Sequence, residues 1–205
     1  MNVEKIIKIL QKKYKIKIWR EKPFKILIAT ILSQRTKDEI TRGATKKLFK
    51  LADTPEKILK LNEKEIEKLI KPVGFYRQKA KRIKKVAEII LKKHNGKVPD
   101  SRDELLKLPG VGFKTADVVL CYGFKKDVVP VDTHVAIIAR RLKLTNSKDP
   151  EKIREELHEK IPRKYRRIFN LLMVEFGKDI CKTAKPRCET CHIKNFCPSK
   201  FLIKK

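Results

Sequence analysis

Four of this chain's five cysteines fall in one short stretch: Cys181, Cys188, Cys191 and Cys197, with six, two and five residues between neighbours. A Cys-x-x-Cys turn puts both sulfurs on one side, so thiolates this closely spaced can converge on one centre. Four thiolates suit either a [4Fe–4S] cluster or a structural zinc, and the spacing admits both. Clustered cysteines in a reducing compartment point to metal rather than disulfides. Residues 181–205 therefore read as an irregular loop held by a metal centre instead of a core. Cys121, alone in the apolar run ADVVLCYGF, reads as a core residue.

Upstream of that loop the pattern is helical. Phe24, Leu27, Ile28, Ile31 and Leu32 form one apolar stripe, and Ile83, Val86, Ala87, Ile90 and Leu91 form another. Val3, Ile6, Ile7 and Leu10 make a third near the start. Helix starts are signalled at Thr54-Pro55, at Asn62 with Glu65, at Ser101 with Glu104, and at Asp149-Pro150. Alternating apolar runs are almost absent, and there is no internal repeat or low-complexity linker. The expectation is an all-α chain of about ten short helices.

Charge narrows the partner. The 53 Lys+Arg against 24 Asp+Glu leave a formal net charge of +29, which implies a polyanion and favours nucleic acid, bound in a salt-sensitive way. A Lys- and Glu-rich surface also marks heat adaptation, but that alone predicts near balance between the signs. No apolar run approaches the ~20 residues that span a bilayer. The first residues lack a continuous apolar stretch and a cleavage site. The reading is a cytoplasmic, nucleoid-associated monomer with no membrane partner.

SRDELLKLPGVGFKTADVVL reads as a capped helix, a tight Pro-Gly-x-Gly turn and a second helix. Gly110 and Gly112 free the turn's backbone and let a ligand come close. N–H groups opening the second helix make a site for one phosphate. A Rossmann fingerprint would need glycine where Thr115 stands, and a P-loop needs glycine where Phe113 stands. Lys114 follows the turn. A phosphate held there would set a nucleotide sugar beside it, and a lysine desolvated among cations can act as a neutral amine nucleophile. In VVPVDTHVAIIARRL, Asp132 reads as an N-cap and His134 as a structural residue of the first turn.

LPGVGFKTA, VDTH some twenty residues later, and the terminal cysteine spacing together resemble the endonuclease III family of helix-hairpin-helix DNA glycosylases. PFKILIATILSQRTKDE, GFYRQKA and HNGKVPD extend the resemblance over almost the whole chain. It implies two helical domains with a DNA cleft between them. One is a six-helix barrel over residues 23–128, carrying the helix-hairpin-helix at about 101–123. The other joins 1–22 to 129–205 and contains the cluster loop 181–197. The resemblance also selects [4Fe–4S] over zinc, with the four cysteines as ligands, and makes Lys114 the nucleophile and Asp132 its carboxylate partner. The implied partner is duplex DNA carrying damaged bases or abasic sites.

Family members commonly place a glutamine two positions after the early serine, where it fills the space left by the flipped base. Here Ser33 is followed by Gln34 and Arg35, and either is a candidate filler. Phe75 in GFY is the candidate intercalating residue. Leu108, Gly110 and Gly112 at the turn, and Lys185 and Arg187 with Lys182 and Lys194 near the cysteines, are the further DNA-contact candidates. The implied activity is a bifunctional glycosylase and abasic-site lyase acting on oxidised pyrimidines. A mismatch glycosylase of the same superfamily, or a non-catalytic zinc module binding DNA, are the alternatives.

Overall fold

The apolar stripes become helices in a computed structural model that describes residues 2–200, and among those residues there is no strand. Eleven α-helices follow in order: α1 (Val3–Lys13), α2 (Pro23–Ser33), α3 (Asp38–Leu51), α4 (Pro55–Lys60), α5 (Glu63–Ile70), α6 (Tyr76–His94), α7 (Arg102–Leu106), α8 (Phe113–Val118), α9 (Thr133–Arg141), α10 (Pro150–Lys160) and α11 (Arg163–Asp179). The start signals act as caps. Thr54 accepts from the Lys57 N–H and Asp149 from that of Glu151. Asn62 and Glu65 form a reciprocal capping box. Ser101 accepts from the Glu104 N–H, whereas the Glu104 carboxylate turns to Lys107.

The chain divides into two compact units. The first is Arg20–Phe124; the second joins the segment ending at Trp19 to the one starting at Lys125. Both divisions fall a few residues before the boundaries expected at 22/23 and 128/129. In the first unit α2 is buried on nearly every side, through Phe24, Ile26, Leu27, Ile28, Ile31 and Leu32. It packs on α3, α6 and α8, and α6 covers α4 and α5. At about 1.5–3 kcal/mol for each large apolar side chain fully buried, α2 is the main apolar contributor here.

In the second unit α1 lays Ile6, Ile7 and Leu10 into a core with Val135, Ile138, Phe169, Leu172 and Phe176. Glu4 fastens α1 to α11, accepting from Lys164 Nζ at 3.0 Å and the Tyr165 hydroxyl at 2.9 Å. No helix among the described residues is long and apolar enough to cross a membrane.

Candidate functional site

The hairpin joins α7 to α8 through a turn whose shape depends on Gly110, at φ +78°. The Val111 N–H closes the turn on the Leu108 carbonyl at 3.1 Å. Leu108 is buried, so this candidate contact packs inward and supports the turn instead of facing a ligand. Gly112 is the N-cap of α8, no side chain caps that helix, and a Cβ at this position would meet nothing within 4 Å. The backbone here is open to approach. Arg102 clamps the two helices, donating to buried Asp117 at 3.1 Å and lying over the Phe113 ring. Past Val118 the second helix widens into a π turn, Val119–Gly123, that holds Cys121 fully buried. Gly123 backs directly onto Pro23 at the start of α2, where a Cβ would meet backbone at 3.1 Å.

Lys114 sits in the first turn of α8 and is exposed. The desolvation expected from sequence is therefore not supplied by the folded chain around it.

The loop after α2 carries the candidate fillers, and the structure gives them different surroundings. Gln34 Nε2 donates to the Gly110 carbonyl at 2.9 Å, with Thr115 Oγ1 3.4 Å away. Its amide thus braces the hairpin turn. Arg35 is exposed, has φ +51°, and holds its guanidinium 5.8 Å from the ring centre of Phe75. Phe75, 57% exposed and at φ +57°, precedes α6. A phenylalanine this open is not a core residue.

In the second unit Asp132 caps α9, one carboxylate oxygen accepting from the Val135 N–H at 2.9 Å. The other accepts from Asn170 Nδ2 at 3.3 Å, and Asn170 also donates to the Pro130 carbonyl at 3.0 Å. Both oxygens are thus oriented, and Asp132 remains half-buried. His134 packs on Gly177 of α11, where an added Cβ would collide with the imidazole. Asn170 carries no motif in the sequence, although it shares a helix face with buried Met173 and Gly177, three and seven positions on.

The four cysteines line one pocket, walled by Ile138, Leu142, Phe176 and Ile193. The Cys-x-x-Cys turn is closed by the Cys191 N–H on the Cys188 carbonyl. Arg141 of α9 wraps the loop, donating to the carbonyls of Cys181, Lys182 and Thr183 and to Cys181 Sγ at 3.2 Å. Burial raises the thiols of Cys181, Cys191 and Cys197, Cys191 to about 11, and neighbouring cysteines add to each rise. Thiols so placed stay ionised only beside a cation, and a metal centre would displace their protons on binding. Among the described residues no three Cys, His, Asp or Glu side chains are drawn together as ligands of one ion. Four cysteines facing one pocket are nonetheless a donor set of the kind that a zinc ion or a [4Fe–4S] cluster takes.

Around this pocket Lys182, Lys185 and Lys194 are exposed. Arg187 is exposed too, but its guanidinium binds Asp179, with Nη2 2.7 Å from the carboxylate. Asp179 also accepts from the Tyr14 hydroxyl at 2.8 Å, and burial, then this carboxylate, pushes that phenol upward. Arg187 therefore anchors the loop to the end of α11.

Residues 28–163 match the HhH-GPD superfamily of base excision DNA repair proteins. The chain is 49% identical to endonuclease III of Thermotoga maritima, covering 85% of this chain and 82% of that one. This chain belongs to the endonuclease III family. An endonuclease III trapped as a covalent intermediate with DNA superposes with TM-score 0.86 at 33% identity, over 97% of this chain and 95% of the other. A thermostable thymine-DNA glycosylase superposes equally well, TM-score 0.86, at 30% identity over 97% and 94%.

Proposed function

We propose that this chain is a bifunctional DNA glycosylase and abasic-site lyase of base excision repair, removing oxidised pyrimidines from duplex DNA. The observation that carries the reading is Lys114, an exposed amine two residues past the open Gly112 of the hairpin, in a chain of this family. Backbone N–H groups of Gly110 and Gly112 would hold a phosphate and bring the nucleotide sugar to Lys114. The damaged nucleotide leaves the stack. Lys114 Nζ, as the free amine, bonds to C1′ while the C1′–base bond breaks, and the base leaves with a proton from solvent. One proton of the alkylated amine passes, by way of Asp132, to O4′ as the C1′–O4′ bond opens, which leaves a protonated Schiff base and a free O4′ hydroxyl. Removal of a C2′ proton then breaks the C3′–O bond, and the 3′ strand departs with its 5′-phosphate.

Asp132 would help take the amine proton and stabilise the charge developing on the sugar, its carboxylate fixed by the α9 cap and Asn170. Arg35 and Phe75 would enter the duplex, with Gln34 supporting them from below. Lys185, with Lys182 and Lys194, would meet phosphates, Arg187 supporting that loop. Cys181, Cys188, Cys191 and Cys197 would hold a [4Fe–4S] cluster, which when bound closes the loop and serves DNA docking. The protein would act as a cytoplasmic, nucleoid-associated monomer on duplex DNA.

A second reading, excision of mismatched thymine or of adenine opposite damaged guanine, draws on the equal likeness to a thymine-DNA glycosylase. Duplexes with thymine glycol, G·T, G·U, 8-oxoguanine·A and an abasic site separate these. Thymine glycol release with strand cleavage supports the first reading. Preferential excision at a mismatch replaces it with the second. Binding without cleavage, in a zinc-loaded protein, replaces both with a non-catalytic module.

A further inference from the structure

Lys79 is 3% exposed, in the first turn of α6. Among the described residues no carboxylate pairs with its ammonium. It donates instead to the Leu32 carbonyl at 2.8 Å, the Gln34 carbonyl at 2.5 Å and Thr36 Oγ1 at 3.2 Å. Leu32 is in the last turn of α2 and Gln34 is its C-cap. A cation there satisfies carbonyls that the helix leaves unpaired and meets the negative end of its dipole. Burial, and then Arg82 nearby, lower this amine to about 8. That is still above neutrality, so at pH 7 all three protons are there to donate.

What hangs on these bonds is the Gln34–Thr36 loop, which carries Arg35 and adjoins Gly74 and Phe75. Arg35, between two of the anchored residues, takes φ +51°, a conformation that costs a non-glycine residue about 1–2 kcal/mol and persists only where surroundings impose it. Thr36 Oγ1 also accepts the Gly74 N–H at 3.2 Å, and Gly74 so closely abuts Arg35 that a Cβ would meet its carbonyl at 3.0 Å. Phe75 follows at once. Gln34, held through its carbonyl by Lys79, reaches the Gly110 carbonyl with its side chain. One turn along α6, Arg82 lies across Gly110 itself. Three exposed or hairpin-facing side chains thus take their positions from one buried amine.

We propose that Lys79 is a positioning residue that sets the Gln34–Arg35–Thr36 loop and the Phe75 tip for entry into the duplex, acting on base extrusion and not on the covalent step. This rests on the glycosylase/lyase reading. The test compares the full-length wild type with Lys79→Met, which keeps an apolar stem without donors, and with the milder Thr36→Val. Two rates are read: borohydride trapping on an abasic site in a short single strand, where no stack is opened, and excision of thymine glycol from duplex. A 2-aminopurine opposite the lesion reports probe entry by its fluorescence.

The expected result is a loss of roughly ten- to a hundredfold on duplex, from hydrogen bonds to a charged group. The 2-aminopurine change should disappear, while single-strand trapping stays within about threefold. Equal losses on both substrates, or no loss on duplex, overturn the proposal. Should Lys79→Met fail to fold by circular dichroism, Thr36→Val decides on the same criteria. A wild type that traps on neither substrate refutes the lyase reading instead, so the two failures are distinguishable.

Discussion

Gly110 and Gly112 stand two residues apart in the hairpin, and the structure assigns them different work. Gly110 has φ +78°, and an alanine there would press its Cβ within 2.1 Å of the Arg82 side chain. The left-handed conformation costs alanine about 1–2 kcal/mol. The stiffer unfolded chain returns about 0.4–1. Arg82 is flexible enough to yield, so the net loss is about 1 kcal/mol. For a chain of this size that lowers Tm by about 2–4 °C.

Gly112 has φ −96° with open space where a Cβ would go. Alanine at this N-cap costs about 0.5–1 kcal/mol relative to glycine. The unfolded-state gain offsets most of that, leaving stability within about 0.5 kcal/mol. If a phosphate occupies that open space, the new methyl stands in its way and breaks charge-assisted hydrogen bonds. The Kd for an uncleavable abasic-analogue duplex should then rise roughly ten- to a hundredfold. Calorimetry and fluorescence anisotropy at one fixed salt concentration read the two quantities. Gly112→Ala with unchanged duplex affinity would refute the phosphate-holding turn, and Gly110→Ala with unchanged Tm would refute the conformational account.

Three further outcomes follow from single contacts. Glu4 is held at about 2 by Lys164, then Tyr165 and Lys8; a depressed carboxylate stabilises above its unfolded value of 4.5 and loses that contribution as pH falls toward 2. The Tm difference between wild type and Glu4→Gln should therefore shrink steadily from pH 5 to pH 2.5, and a constant difference would contradict it. Asn170→Ala frees one oxygen of Asp132 and should slow single-turnover excision roughly ten- to a hundredfold, the worth of a hydrogen bond to a charged group; an unchanged rate removes Asn170 from the account. Arg141→Met deletes four donor contacts to the cysteine loop and should speed iron release to a chelator, read by absorbance, with α1–α9–α11 helicity retained.

Much of this was legible in the residues because it is local. N-caps at Thr54, Asn62, Ser101, Asp132 and Asp149 lie three or fewer residues from the N–H groups they satisfy, and apolar stripes report burial directly. The glycine turn and cysteine spacing are likewise short-range. Lys79 was not read, because its acceptors lie more than forty positions away and it is one of 53 basic residues. A signal was present: Lys79 is in phase with Ile83, Val86 and Ile90 on the buried stripe of α6. Asn170 carried the same signal on α11. The division of labour between Gln34 and Arg35 is set by Gly110 and Phe75, residues that only the folded chain brings to them. Arg187 looked like a phosphate contact from its sign alone, and Asp179, its partner, sits at the far end of a loop.

The most direct test is to incubate the protein with a duplex containing one abasic site, reduce with borohydride, and sequence the peptide that retains DNA. The account predicts an adduct on Lys114, absent in Lys114→Gln although that variant still binds the duplex. No adduct in the wild type, or an undiminished one in Lys114→Gln, would contradict it.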